Sequence, residues 1–143
     1  MKKTKTIFGL TIIFIIGILA AACGGDSSSS QNKVIKSSPI GNNLTVSLMN
    51  DTGKLKNGEQ ELILEFKDST GKTVDVGAAS LNFKMPAMGS MAEMNDPATL
   101  TTTSTPGVYK GKVKIEMPGE WQAQISFEGA AGNGKTSIPV TAY

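Results

Sequence analysis

Strict alternation of apolar and polar residues governs what this chain can fold into. Tyr109, Gly111, Val113, Ile115 and Met117 alternate with Lys110, Lys112, Lys114 and Glu116. Beyond the tight turn Pro118-Gly119, Trp121, Ala123, Ile125 and Phe127 alternate with Gln122, Gln124, Ser126 and Glu128. Successive side chains of an extended strand point to opposite faces, so each segment buries one face and wets the other. The three lysines read as the solvated face of a long strand rather than a binding stripe.

The same period recurs upstream. Leu44, Val46 and Leu48 alternate with Thr45, Ser47 and Met49, and Leu62, Leu64 and Phe66 alternate with Glu61, Ile63 and Glu65. Turn signals separate them at Asn50-Asp51-Thr52-Gly53 and Lys56-Asn57-Gly58. After Asp68-Ser69-Thr70-Gly71-Lys72 come a short segment from Thr73 to Val76 and a further strand from Ala79 to Met85. That strand carries Leu81, Phe83 and Met85 on one face. A Thr-rich strand is expected from Ala98 to Thr103. The last runs from Lys135 to Ala142 after a loop at Gly129 to Gly134, and Pro139 marks it as an edge strand. Seven or eight short strands, with no helical period of useful length, predict an all-β immunoglobulin-like antiparallel sandwich of about 100 residues. A small closed barrel is the alternative that the alternation leaves open.

The first 40 residues have a different character. Lys2, Lys3 and Lys5 precede an apolar run from Ile7 to Leu19, and Ala20-Ala21-Ala22-Cys23 follows. A positive start, an apolar centre and small residues before a cleavage point mark a secretory signal over residues 1–22, too short for a confident membrane span. Here the stretch resembles the bacterial lipoprotein signal, which implies lipidation of Cys23 as the first mature residue. Ala20 stands where that signal usually has a branched residue. A plain signal peptide with an incidental Cys would leave an odd thiol to explain. Residues 23–40, with Gly24-Gly25-Asp26-Ser27-Ser28-Ser29-Ser30, read as a flexible tether, and the folded domain is expected over 41–143.

Composition excludes several function classes. The chain has no His and no Arg, and its single Cys is assigned to the lipid. Losing Lys2, Lys3 and Lys5 reduces 14 basic residues to 11 against 12 acidic ones, so the mature chain has no electrostatic footprint for nucleic acid. Without His, free thiol, Gly-rich phosphate loop or a paired-carboxylate spacing that stands out, no catalysis is expected. Ser and Thr have no base to activate them.

Four of the seven methionines lie at Met85, Met88, Met91 and Met94, three residues apart. Thioether sulfur is soft and neutral, suits Cu(I), and needs no deprotonation to bind it. Pro86 fixes one backbone angle and Gly89 permits a turn. A loop or a single helical turn would gather Met85, Met88 and Met91 more readily than all four. Met85 continues the inward face of its strand and so serves packing as well as ligation. Met88, Met91 and Met94 sit among Pro, Gly, Ser, Glu and Asp, in an expected surface loop. Glu93 and Asp96 are the nearby oxygen donors, of a kind that prefers harder ions. Trp121 is first a core residue; its functional option is a cation–π cap over a bound ion. Tyr109 is expected to pack and to hydrogen-bond at a strand corner.

Phe83-Lys84-Met85-Pro86-Ala87-Met88-Gly89-Ser90-Met91, then Pro106-Gly107-Val108-Tyr109, then Met117-Pro118-Gly119-Glu120-Trp121, resembles the YtkA-like domain, related to FixH-like proteins, over roughly residues 41 to 143. The resemblance implies an immunoglobulin-like sandwich in an exported or membrane-attached protein, often linked with copper handling or oxidase assembly. Many relatives carry His in or beside the methionine loop. Its absence here leaves an all-sulfur Cu(I) site. The expected protein is therefore tethered through lipidated Cys23 to the outer face of a bacterial cytoplasmic membrane, binding Cu(I) and serving a copper-transport or oxidase-assembly partner. A protein-interaction lipoprotein, using the methionines as an adaptable apolar surface, is the alternative.

Overall fold

The computed structural model describes residues 31–143. The signal segment 1–22 and Cys23 lie outside the described residues, as do residues 24–30 of the expected tether. Nine strands follow in chain order: β1 (Lys33–Gly41), β2 (Leu44–Asn50), β3 (Gly58–Lys67), β4 (Ala78–Met85), β5 (Met94–Pro97), β6 (Thr99–Thr102), β7 (Val108–Ile115), β8 (Gly119–Gly129) and β9 (Gly132–Ala142). They form two antiparallel sheets, ordered β1-β2-β3-β7-β6 and β5-β4-β8-β9. The architecture is a sandwich and not a barrel.

The alternating residues meet between the sheets. Val46, Leu48, Leu62, Leu64, Phe66 and Ile115 of the first sheet face Leu81, Phe83, Trp121, Ala123, Ile125 and Ile138 of the second, all buried. Phe66 is central, packing edge-on against Tyr109 at 5.8 Å and Phe127 at 5.7 Å between ring centroids. Burying a large side chain of this kind contributes roughly 1.5–3 kcal/mol. The wet faces carry complementary charge. Glu59 stands opposite Lys114 and Glu61 opposite Lys112 across β3 and β7, so the lysine stripe is matched by acids on the neighbouring strand.

Four local expectations are corrected. Residues 33–40, assigned to the tether, form most of β1. Ile40 is its only fully buried side chain, so the strand is held by its ladder with β2 and leaves little mark on hydrophobic pattern. Thr73 to Val76 is not a strand: Thr73 makes one bridge to Lys67, while Val76 plugs the core. The loop expected over 129–134 is two residues, Ala130 and Ala131, because β8 and β9 pair up to Gly129 and Gly132. The methionine stretch, expected as loop or helical turn, contains β5 and is a hairpin.

β5 and β6 are one path that changes sheets at Pro97-Ala98. Ala98 N–H donates to the Leu81 carbonyl at 2.9 Å, after which the chain leaves β4 and pairs with β7. Pro139 does lie on an edge strand, β9. Tyr109 closes the opposite end, its hydroxyl donating to the Gly77 carbonyl at 2.7 Å. Burial, then the negative charge of Asp75, pushes this phenol above its ordinary value of 10. Its neutral form is therefore favoured by folding. The associated stability is complete below the unfolded pKa and lost as pH rises through the folded one. Tyr109→Phe should cost about 1 kcal/mol at neutral pH. Urea unfolding should also show a shallower loss of stability above about pH 10 in the variant than in the parent.

A methionine hairpin at one end of the sandwich

The local sequence explains how the methionine stretch folds. Gly89 adopts φ +59° and is followed by Ser90, which has no positive φ, the pattern of a type II′ hairpin turn. Met88 and Met91 flank this turn and exchange both backbone hydrogen bonds, at 3.2 and 2.9 Å. Further down, Met85 pairs with Met94, Lys84 with Asn95, Phe83 with Asp96 and Asn82 with Pro97. Tip and base share one register. A spacing of three on each side of a two-residue turn therefore makes two cross-strand pairs, Met88 with Met91 and Met85 with Met94. Directly opposed residues of an antiparallel pair carry their side chains on the same face, about 5 Å apart at Cβ.

The two pairs occupy different surroundings. Met88 and Met91 are 55% and 39% exposed, at the tip, whereas Met85 is 3% exposed and belongs to the core. Met94 is half-buried against that core. The structure thus groups Met88 with Met91 and Met85 with Met94. The backbone pairing is that of a hairpin rather than of the helical turn that would gather Met85, Met88 and Met91.

The base pair is roofed by the turn between β7 and β8. Gly119 has φ +141°, which strains any side chain there, and a Cβ at this position would lie 2.9 Å from Met85 Cε, so the turn runs close over Met85. Trp121 is wholly buried, and its indole N–H donates to the Met117 carbonyl at 3.1 Å. The ring is a wall of the core beneath this end of the sandwich. Its face is not exposed at the tip, where a cap over Met88 and Met91 would have to lie.

The carboxylates are engaged. Glu93 pairs with the Lys84 ammonium at 3.0 Å and accepts from Asn95 at 3.2 Å, and these two partners, Lys84 foremost, hold it below the usual carboxyl value. Asp96 turns inward, 7% exposed, and accepts from the Glu116 N–H at 3.0 Å. Among the described residues no group of three or more His, Cys, Asp or Glu could hold a metal ion. A groove of about 760 Å³ lies on the β3 face of the other sheet, lined by polar residues such as Asn50, Asp51 and Lys56 together with Leu62 and Ile63, and by no methionine.

Met117 continues the inward alternation of β7 and is half-buried against the core, in the connection that brings Gly119 close to Met85.

Exposure and thioether chemistry set an order of oxidation. Limited peroxide treatment followed by peptide mass mapping should convert Met88 and Met91 first, Met94 and Met117 more slowly, and Met85 last. Early conversion of Met85 would contradict the hairpin packing.

No curated protein and no solved structure matches the chain. A family model described as YtkA-like matches residues 40–126, which is more than half of the chain and spans β2 to most of β8 together with the methionine hairpin. The chain belongs to the YtkA-like family.

Proposed function

We propose that this is a membrane-anchored extracytoplasmic domain that binds Cu(I) reversibly through its methionine hairpin and passes it to a partner in copper transport or oxidase assembly. One observation carries the reading: Met88 and Met91 stand directly opposite each other on the exposed tip of a register-locked hairpin. Two neutral thioethers on the same face suit a soft monovalent ion and discriminate against hard ones. Two sulfurs also leave coordination positions open for the ligands of an acceptor, which favours transfer over storage. Lipidation of Cys23, after signal removal, would hold the domain at the outer face of the cytoplasmic membrane. A single acyl chain binds membranes only marginally, so anchoring needs more than one chain.

Titration of the purified protein with Cu(I) against a competing chelator tests the proposal. Changing Met88 and Met91 together to Leu, which preserves volume, should weaken binding at least about tenfold, or about 1.4 kcal/mol. Unchanged affinity would remove the tip from the site. Because thioethers do not titrate, chelator-corrected affinity should stay flat between about pH 5 and 8. The exposure of Met88 and Met91 favours a second reading, an adaptable apolar surface for a protein partner. In that case the parent takes up no Cu(I), and the double Leu variant keeps partner binding.

A further inference from the structure

The strand directions bring several features to one end of the sandwich. β1 begins at Lys33, which pairs with Asn50, the last residue of β2. β3 begins at Gly58 opposite Ile115, the last residue of β7, and a short connection leads from there to Gly119, the partner of Ala142. Leu55 bridges Ala142, and the Asn57 N–H donates to the Tyr143 carbonyl at 3.0 Å. Gly119 in turn lies against Met85, from which the methionine hairpin projects. The entry of the chain into β1, the β2–β3 loop, Tyr143 and the hairpin therefore share one end. The opposite end carries the turns at Asn42-Asn43, Thr70-Gly71 and Ala130-Ala131.

Exposed apolar side chains follow the same division. The large hydrophobic residues exposed among the described residues are Val34 at 55%, Met88, Met91 and Tyr143 at 64%, and all of them lie at the entry end. The hairpin tip from Pro86 to Ala92 is exposed throughout and carries no charge. Met88 lies three residues beyond Met85, so the tip reaches at most about 10 Å past the core. Tyr143 sits under the Lys54 ammonium, which is 5.1 Å from its ring centroid. Tyrosine and lysine side chains, each with an apolar body and a polar tip, suit a boundary between lipid and water. Lys33, Lys54 and Lys56 at this end are offset by Asp51, Glu116 and Glu120, so its attraction to a surface is apolar rather than electrostatic.

We propose that this end of the sandwich docks on the lipid surface, with the uncharged tip around Met88 and Met91 seated among the headgroups. The inference rests on the proposed anchoring through Cys23 and is independent of metal binding. Cys23 precedes Lys33 by ten residues, which span at most about 35 Å. The anchor thus keeps the entry end within that distance of the bilayer, whichever way the domain swings, and places no such limit on the opposite end. So small an apolar patch binds lipid only weakly from solution. Tethering makes its contact intramolecular, at a high effective concentration.

The test couples residues 23–143 through the Cys23 thiol to a maleimide lipid in phosphatidylcholine nanodiscs whose acyl chains carry a nitroxide. With ¹³C at the methionine methyls and ¹⁵N at the amides, the Met88 and Met91 methyls and the amides of Ala87 to Ala92 should lose the most intensity. Asn42, Gly71 and Ala131, at the opposite end, should keep theirs. Changing Met88 and Met91 together to Asp, at positions where neither side chain enters the core, should restore the Ala87 and Ala92 signals by placing charge in the apolar region. A tip no more broadened than Asn42 and Ala131 would overturn docking on lipid and leave this end to a protein partner. Lipidation is read separately, from the mass of the protein recovered in the membrane fraction of cells. An unmodified Cys23 there would remove the anchor, and the docking with it, without bearing on Cu(I) affinity.

Discussion

The cross-strand register of the β4–β5 hairpin is the constraint on which the rest of this end of the molecule depends. A type II′ turn at Gly89-Ser90 sets it, the Met88–Met91 bonds propagate it, and the pairing of β4 with β5 carries it into the core. A slip of one residue would reverse every side chain on β5. Asp96 would then face water, and Met94 would leave the base pair. The opposing inward demands of Phe83 and Met85 on β4, both fully buried, hold the register from the other side. The ion pair between Lys84 and Glu93 lies on the exposed face and adds little to stability.

The fold is legible in the sequence wherever a strand has one wet face. Leu44-Val46-Leu48, Leu62-Leu64-Phe66 and Trp121-Ala123-Ile125-Phe127 alternate because they lie between one core and water, and each is a strand in the structure. Where a strand lies at an edge and buries little, the pattern fades. β1 buries only Ile40, and β5 is four residues long within a run of Glu, Asn, Asp and Pro, so neither stands out from a loop. Val76 gives the opposite lesson, since an apolar residue in a non-strand segment can plug a core as completely as any strand residue.

The candidate site was half visible for the same reason. A methionine every third residue is conspicuous, but spacing alone does not separate a helical turn from a hairpin folded about Gly89-Ser90. In a helical turn nearest neighbours in sequence would cluster, whereas in the hairpin Met85 meets the residue nine positions later. The β7–β8 connection meets the hairpin only through tertiary contacts, the Gly119–Met85 approach and the Glu116–Asp96 hydrogen bond. These long-range juxtapositions leave no periodic trace. Membership of the YtkA-like family covers β2, the hairpin and Trp121 alike, and so places these elements within one evolved unit.

The proposed chemistry comes down to whether sulfur alone holds the ion. X-ray absorption at the copper edge, on protein loaded anaerobically with one equivalent of Cu(I), reads the ligand shell directly. A first shell made only of sulfur scatterers, losing sulfur when Met88 and Met91 are changed to Leu, is the expected result for an ion held at the tip. A first shell dominated by oxygen or nitrogen, unchanged by methionine replacement, would contradict thioether binding and leave the hairpin as an apolar contact surface.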